Sequence, residues 1–537
     1  MPYRLKPHAE QTARPKATIA FDDEVHARAH ERARRIGADG LMVCDDHDAP
    51  VLATLAEKLA IIVLAKAGSL VPGGGLWLHT QRPEWNDANN ALVGNGLSVV
   101  TLAHLRRFLV FLTKLPGADR PFALSASTLQ ALRRFGELVR ATPTAVVHDA
   151  AARRTFLDAS GALLDVWRAD AYRGAAGRTP AQAPPGLLTD LSRALLPHVD
   201  ATLQRCRRDD GLFHSYNLVD LTQGRADVTH LYPMLEGQVA LLSSGYLSLA
   251  ESVTLLDTLF ASLLFDPRRR SFVLYPDRRL PGFFERNRLD DAALALPVVQ
   301  DILTRGRADL LQQQSDGTVR FAPALANRGD LEAAGADLGA SLAPLAAAYD
   351  RLLKHQAFTG RSGTMFAYEG LGCIYWHMVA KLLLAVQELV FEALDRQAPE
   401  LEALKAHYRN VRDGFGYRKS AAAYGAFPAD PYSHTPGEGG AQQPGMTGQV
   451  KEEILTRWGE LGLRVRGGQV HFDPVLLDEA EVPSGGALTF TWCRVPYSIR
   501  RGPATRVRVL GAGGWSECPG RTFDPKGIEA VEVEVCF

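Results

Sequence analysis

The chain has 537 residues, 46% of them apolar and 22% charged, enough to bury a large core and to fill more than one structural unit. Lys+Arg and Asp+Glu each number 60, so no charge excess marks the chain for nucleic acid or for an anionic membrane surface. No apolar run reaches the roughly 20 residues that span a bilayer, and the opening MPYRLKPHAEQTARPK is charged and lacks the apolar stretch of a secretion signal.

The six cysteines show no C-x-x-C spacing, which disfavours both a zinc site and a disulfide framework. The expectation is a cytoplasmic protein with reduced thiols, no metal, no nucleic-acid partner and no membrane partner. A homodimer is left open.

Residues 1–23 read as an N-terminal tail. From 24 to 463 apolar residues recur at three- and four-residue spacing between Gly and Pro breaks, the pattern of amphipathic and buried helices. VLATLAEKLAIIVLAKAG, ALVGNGLSVVTLAHLRRFLVFLTKL, PGLLTDLSRALLPHVDATLQRC and GCIYWHMVAKLLLAVQELVFEAL are examples, several of them apolar nearly all round. Such paired helices suit a toroid of helical hairpins as well as an irregular bundle. From 464 to 537 the texture changes to alternating apolar and polar residues, as in ALTFTWCRVPYSI and AVEVEVCF, which predicts a small antiparallel β-sandwich-like domain.

Three stretches carry more chemistry than a scaffold needs. RPEWND (82–87) sets Arg82, Trp85, Asn86 and Asp87 before a long apolar helix. Asp87, or Asn89 nearby, could serve as a plain helix cap. Alternatively, the indole of Trp85 supplies a sugar platform and an apolar wall that raises the Asp87 pKa, which suits a general acid for glycosidic cleavage.

FTGRSGTMFAYEGLGCIYWH (358–377) runs a glycine-rich loop holding Tyr368 and Glu369 into a buried helix bearing His377. A lone histidine there is either a satisfied core residue or part of an oxyanion site. HTPGEGGAQQPGMTGQVKEEILTRWGELGL (434–463) brings Gln442 and Gln443, then Thr447 and Gly448, to a helix start. That start is either an ordinary threonine cap or an anion site, and the helix shows an apolar stripe of Val450, Ile454, Trp458 and Leu461 expected to face inward. Tyr275, Asp277, Arg278 and Phe284 in one Pro-rich loop, and Tyr432 and His434 in another, have the aromatic and polar character of sugar sites.

WND (85–87), GCIYWH (372–377), PGMTGQ (444–449) and GLRVRGGQVHFDPVL (462–476), in that order, resemble landmarks of the inverting glycoside phosphorylases that act on cellobiose, chitobiose and related β-linked disaccharides. The resemblance covers islands between about residues 80 and 480. It implies an (α/α)6 barrel followed by a C-terminal β-domain, with Asp87 as general acid and His377, Thr447 and Gly448 holding phosphate. Arg82, Trp85, Asn86, Tyr368, Gln442 and Gln443 would then contact the oligosaccharide or β-glucan substrate, with inorganic phosphate as co-substrate and no other cofactor.

Departures accompany the likeness. Glu84 stands where the family has aspartate, extra sequence occupies about 285–357, and the few residues before Trp85 suggest a barrel shortened at its N-terminus. Two other functions stay open. One is an inverting hydrolase or transglycosylase with Glu369 as base; the other is an inactive carbohydrate-binding or scaffold protein.

Overall fold

The computed structural model describes residues 2–79, 92–115, 117, 120–174, 178–277, 281–353, 372–415, 419–420, 434–435 and 450–537. The chain divides into two compact units, Met1–Pro276 with Thr364–Phe537, and Asp277–Gly363.

In the first unit, β1 (Tyr3–Leu5) pairs with β2 (Ile19–Phe21) around α1 (His8–Ala13). The backbone N–H of His8 donates to Asp165 (2.7 Å) and its ring meets Asp158 (2.8 Å), which ties the start of the chain to a later helix. α2 (Asp23–Ile36) is capped by Asp22, whose carboxylate accepts from the Val25 N–H. α3 (Leu55–Ala67) starts at the Thr54 cap and leads into β3 (Leu70–Val71), β4 (Gly75–Trp77) and β5 (Gly96–Ser98).

Then come α4 (Val99–Lys114), α5 (Ala126–Ala141), α6 (Ala150–Tyr172) and α7 (Leu187–Arg205), the first three each capped by a Ser or Asp side chain. β6 (Tyr216–Asp220) and β7 (Asp227–His230) follow, then α8 (Leu235–Ser243) and α9 (Leu249–Phe260). After the second unit the chain continues through β8 (Ile374–Tyr375), α10 (Trp376–Arg396), α11 (Leu401–Arg412), β9 (His434–Thr435) and α12 (Val450–Glu460).

The strands β3 to β7 form one antiparallel five-stranded sheet in that order. Val71, Trp77, Leu97 and Val219 on it are buried against Leu157 of α6. This sheet overturns the expected (α/α)6 toroid. Parts of the apolar run SLVPGGGLWL, and the GLS that precedes α4, pair as buried strands, because a short apolar run carries no period that separates strand from helix. Helices still pack in succession, α4 on α7 and α8, then α10 on α8, α11 and α12. Among the described residues, however, helical hairpins do not repeat into a toroid.

The residues after α12 form β10 (Leu463–Arg466), β11 (Gln469–Phe472), β12 (Leu488–Trp492), β13 (Val495–Arg501), β14 (Arg506–Gly511), β15 (Gly514–Glu517), β16 (Thr522–Phe523) and β17 (Ala530–Val535). One sheet has three strands (β10, β11, β16) and the other five, in the order β12, β13, β17, β14, β15. The purely antiparallel sandwich expected from alternation is corrected here, since β13 and β17 run parallel. Alternation specifies which face is buried, not strand direction. Val470, Phe472, Ile499, Val507 and Val533 from both sheets share one core, each worth about 1.5–3 kcal/mol of burial.

The second unit has its own core, in which Val299, Ile302, Phe321, Leu345 and Tyr349 are buried. The helices Pro297–Thr304 and Leu342–Leu353 and the hairpin of Leu311–Gln313 with Val319–Phe321 build it. Asn287 clamps that hairpin through two 2.8 Å hydrogen bonds with the backbone of Phe321.

Gly237 in α8 lies directly over Ser215, whose hydroxyl accepts from the Gly237 N–H at 2.8 Å. A Cβ there would stand 2.4 Å from the Ser215 Oγ and 2.9 Å from its Cα. Alanine normally gains about 1 kcal/mol over glycine inside a helix. At this position the overlap wins, so Gly237→Ala is expected to lower stability by about 1–3 kcal/mol. A urea midpoint that rises in the variant would refute this packing.

Candidate functional site

Most of the residues singled out in the sequence fall outside the described residues. Arg82, Trp85, Asn86 and Asp87 lie in 80–91, Tyr368 and Glu369 in 354–371, and Gln442, Gln443, Thr447 and Gly448 in 436–449; Arg278 and Tyr432 are outside them as well. His377 is described, and so is the framework that leads into these segments.

β4 carries the chain towards residue 80, and His79 ends that approach. Its Nε2 lies 2.8 Å from the Ser69 hydroxyl, its carbonyl accepts from Thr18, and burial pushes its imidazole down to about 3. His79 is therefore a neutral, anchored core residue at neutral pH.

The surroundings of His377 are built by short strand pairings. Ile374 and Tyr375 of β8 pair with Thr435 and His434 of β9, and Val273 bridges Ile374 from the other side. The Leu274 N–H donates to Cys373 O (2.9 Å) and the Leu235 N–H to Leu274 O (3.1 Å), which joins the start of α8 to the same patch. Tyr275 in this patch is fully buried, edge-on to Tyr232 at 6.2 Å, and so belongs to the core and not to a solvent-facing sugar surface. Phe284, in the second unit, is 71% exposed and sits beneath the Arg320 guanidinium at 5.4 Å.

His377 occupies the first turn of α10. Its Nδ1 lies 3.1 Å from the Tyr375 hydroxyl and its Nε2 lies 3.1 Å from Glu452 Oε1, in the first turn of α12. Burial and then Lys381 hold the imidazole below its ordinary pKa, against the opposing pull of Glu452. The neutral ring that results donates from Nε2 to Glu452 and accepts the Tyr375 O–H at Nδ1, the one tautomer that satisfies both contacts. Glu452 is only 8% exposed as a residue, and among the described residues its Oε2 has no hydrogen-bond partner.

α12 is turned opposite to the sequence expectation. Glu452, Thr456 and Glu460 are buried, whereas Ile454, Leu455 and Trp458 are 45%, 45% and 40% exposed. Of the apolar stripe expected inside, Leu461 is buried and Ile454 and Trp458 are not; the Val450 side chain is outside the described residues.

Pairing is the physical reason. Glu460 accepts from Tyr408 (2.7 Å) and meets Arg412 (2.8 Å) and Arg457 (3.0 Å), and the Thr456 carbonyl accepts from Gln387 of α10 (2.8 Å). Burial also raises the Glu453 carboxyl above the usual range, against Arg412 and with Glu460. A cavity of about 650 Å³ opens at the far end of α12, lined by Tyr408, Arg412, Glu460, Leu477 and Phe537.

Glu452 and Tyr375 were not singled out from the sequence. The signal for Glu452 was the polar stripe at 452, 456 and 460, one helical face that a search for apolar stripes passes over. Lys419 was missed as well. Its ammonium donates to Gly414 O (2.6 Å) and Arg269 O and stands 5.9 Å from the ring of Trp376, the residue that opens α10.

No family model matches the chain, and neither does any curated protein. The likeness to the disaccharide phosphorylases therefore rests on the short motifs alone.

Burial, with Arg270 and Arg269 adding to it, pushes Lys419 down to about 8. Between pH 8 and the ordinary lysine value the unfolded chain binds a proton that the folded protein does not, so stability rises with pH across that window. Denaturation midpoints measured from pH 8 to 10 are expected to climb relative to those of Lys419→Met, which lacks the titrating group. Parallel curves would refute the assignment.

Proposed function

We propose that the protein is a carbohydrate-active enzyme that cleaves or transfers β-linked glucosyl or oligosaccharide units with inversion, using inorganic phosphate as the acceptor. The observation that supports this reading is the contact of His377 with Glu452, which sets the first turn of α12 against the first turn of α10. Both helices direct free N–H groups and the positive ends of their dipoles towards their starts. Thr447 and Gly448 stand just before Gln449 and the start of α12 in sequence. In this scheme Asp87 gives its proton to the glycosidic oxygen while a phosphate oxygen attacks the anomeric carbon from the opposite face. Phosphate is already an anion, so it needs placement more than activation.

A second reading keeps the chemistry and changes the acceptor to water or a sugar hydroxyl. Two observations favour it. Both nitrogens of His377 are already engaged by protein groups, and among the described residues Glu452 has a buried carboxylate oxygen without a donor. In that version a carboxylate, Glu369 by the sequence argument, takes the acceptor's proton.

Incubation of β-linked disaccharides and glucans with and without phosphate separates the readings. Sugar 1-phosphate formed only when phosphate is present supports the first, and free sugar in its absence supports the second. Asp87→Asn is expected to lower kcat by about 10²–10⁴-fold with KM little changed. Undiminished turnover in that variant would remove Asp87 from the mechanism, and absence of either product would remove the glycosyl-transfer reading.

A further inference from the structure

We propose that Tyr375, His377 and Glu452 form a proton relay that receives the acceptor's proton during glycosyl transfer, with Glu452 as the positioning residue behind His377. The inference rests on the glycosyl-transfer reading above; it applies to either acceptor, and with water it gives this relay the proton that the sequence argument assigns to Glu369. Its basis is a chain of contacts: the Tyr375 hydroxyl lies 3.1 Å from Nδ1 of His377, and Nε2 of the same ring lies 3.1 Å from Glu452 Oε1.

All three side chains are largely buried, with Tyr375 and Glu452 each 8% exposed. Little water is on hand to carry a proton away, and the low local dielectric strengthens the coupling between neighbours. A histidine held at one nitrogen by a carboxylate, with its other nitrogen turned to a hydroxyl, has the same logic as a catalytic base oriented by an acid. In place of a nucleophile, the hydroxyl here is a phenol that passes a proton on.

Atoms and protons balance across the step. The bond from the anomeric carbon to the leaving oxygen breaks, and that oxygen takes the proton of Asp87. A new bond forms between the anomeric carbon and an oxygen of phosphate or water. The proton remaining on that acceptor oxygen, or on the new phosphate monoester, moves to the Tyr375 oxygen as the phenol's own proton moves to Nδ1. His377 becomes an imidazolium, and the Glu452 carboxylate on Nε2 stabilises that charge. One proton leaves Asp87 and one arrives on His377, so the net charge of the site is unchanged.

Among the described residues, the charged groups that face His377 are Lys381 on its own helix and Lys451 and Glu452 on α12. The two lysines oppose imidazolium formation, which leaves Glu452 as the group that makes the relay workable. Among the described residues its Oε2 has no hydrogen-bond partner.

The test uses the full-length protein labelled with ¹⁵N-histidine, together with Glu452→Gln and Tyr375→Phe, both close in shape to the native side chains. His377→Gln identifies the resonance. The wild type is expected to show the Nε2–H tautomer, and Glu452→Gln to move the His377 titration to lower pH.

In the turnover assay Glu452→Gln should lower kcat about 10- to 100-fold with little change in KM, and should shift the acidic limb of the pH profile in the same downward direction. Tyr375→Phe should lower kcat similarly while leaving the tautomer intact. A wild-type Nδ1–H tautomer, or an acidic limb that Glu452→Gln leaves in place, overturns the relay while glycosyl transfer stands. The expected tautomer in a wild type that turns over no β-linked sugar overturns the glycosyl-transfer reading, and the relay's role falls with it.

Discussion

Helix α10 is joined to its neighbours by buried polar contacts, and the arrangement around His377 depends on them. The Gln387 amide reaches across to Thr456 O (2.8 Å) and the Tyr408 hydroxyl (3.3 Å), and Tyr408 in turn donates to Glu460. Arg412 from α11 closes on Glu460 at 2.8 Å. Each of these groups would be costly to bury alone and is tolerated only with its partners in place. The network therefore acts as a registry device: if α12 slid or rotated by a residue, Glu452 would leave His377 and Glu460 would leave Arg412. Apolar packing tolerates small slips of that kind, and paired charges do not.

This registry explains the orientation of α12. Its apolar residues are no weaker in burial energy than those of other helices. The face that carries two glutamates has partners waiting on α10 and α11, whereas Ile454, Leu455 and Trp458 stay partly exposed, Trp458 with an edge contact to Trp492 at 6.4 Å. Leaving three apolar side chains partly wet costs a few tenths to about a kcal/mol each by area. Burying a carboxylate without its guanidinium would cost several. The helix therefore turns its glutamates towards their partners and leaves the apolar side chains half wet.

The sequence made some of this legible and hid the rest for identifiable reasons. Long helices such as α10 and α7 were readable because their apolar residues recur over many turns, and the strands after residue 463 because they alternate cleanly. The five-stranded sheet was not readable. β3, β4 and β5 are two or three residues each, too short for any period to be counted, and the strand that pairs with β5 on its other side comes from a distant part of the chain. At the candidate site His377 was found through its motif, but Glu452 was passed over, because a stripe of polar residues on a helix is ordinarily its wet face. Only the partners on α10 and α11 show that it is the dry one.

The same sheet sets a condition on how the chain can be assembled. Gly96 on β5 pairs with Leu218 on β6, roughly 120 residues later, and the Ser215 carbonyl accepts the N–H of Val99 at the start of α4. Closure of so long a loop must precede any stabilisation from the pairing. A growing chain that has reached β5 but not β6 carries an unpaired strand edge at β5 through the whole synthesis of α4 to α7. Such an edge invites pairing with another chain. Fragments that end before β6 are for that reason poor units for expression, however helical their composition looks, and the natural place to divide this protein is at the borders of Asp277–Gly363 and not within the first 230 residues.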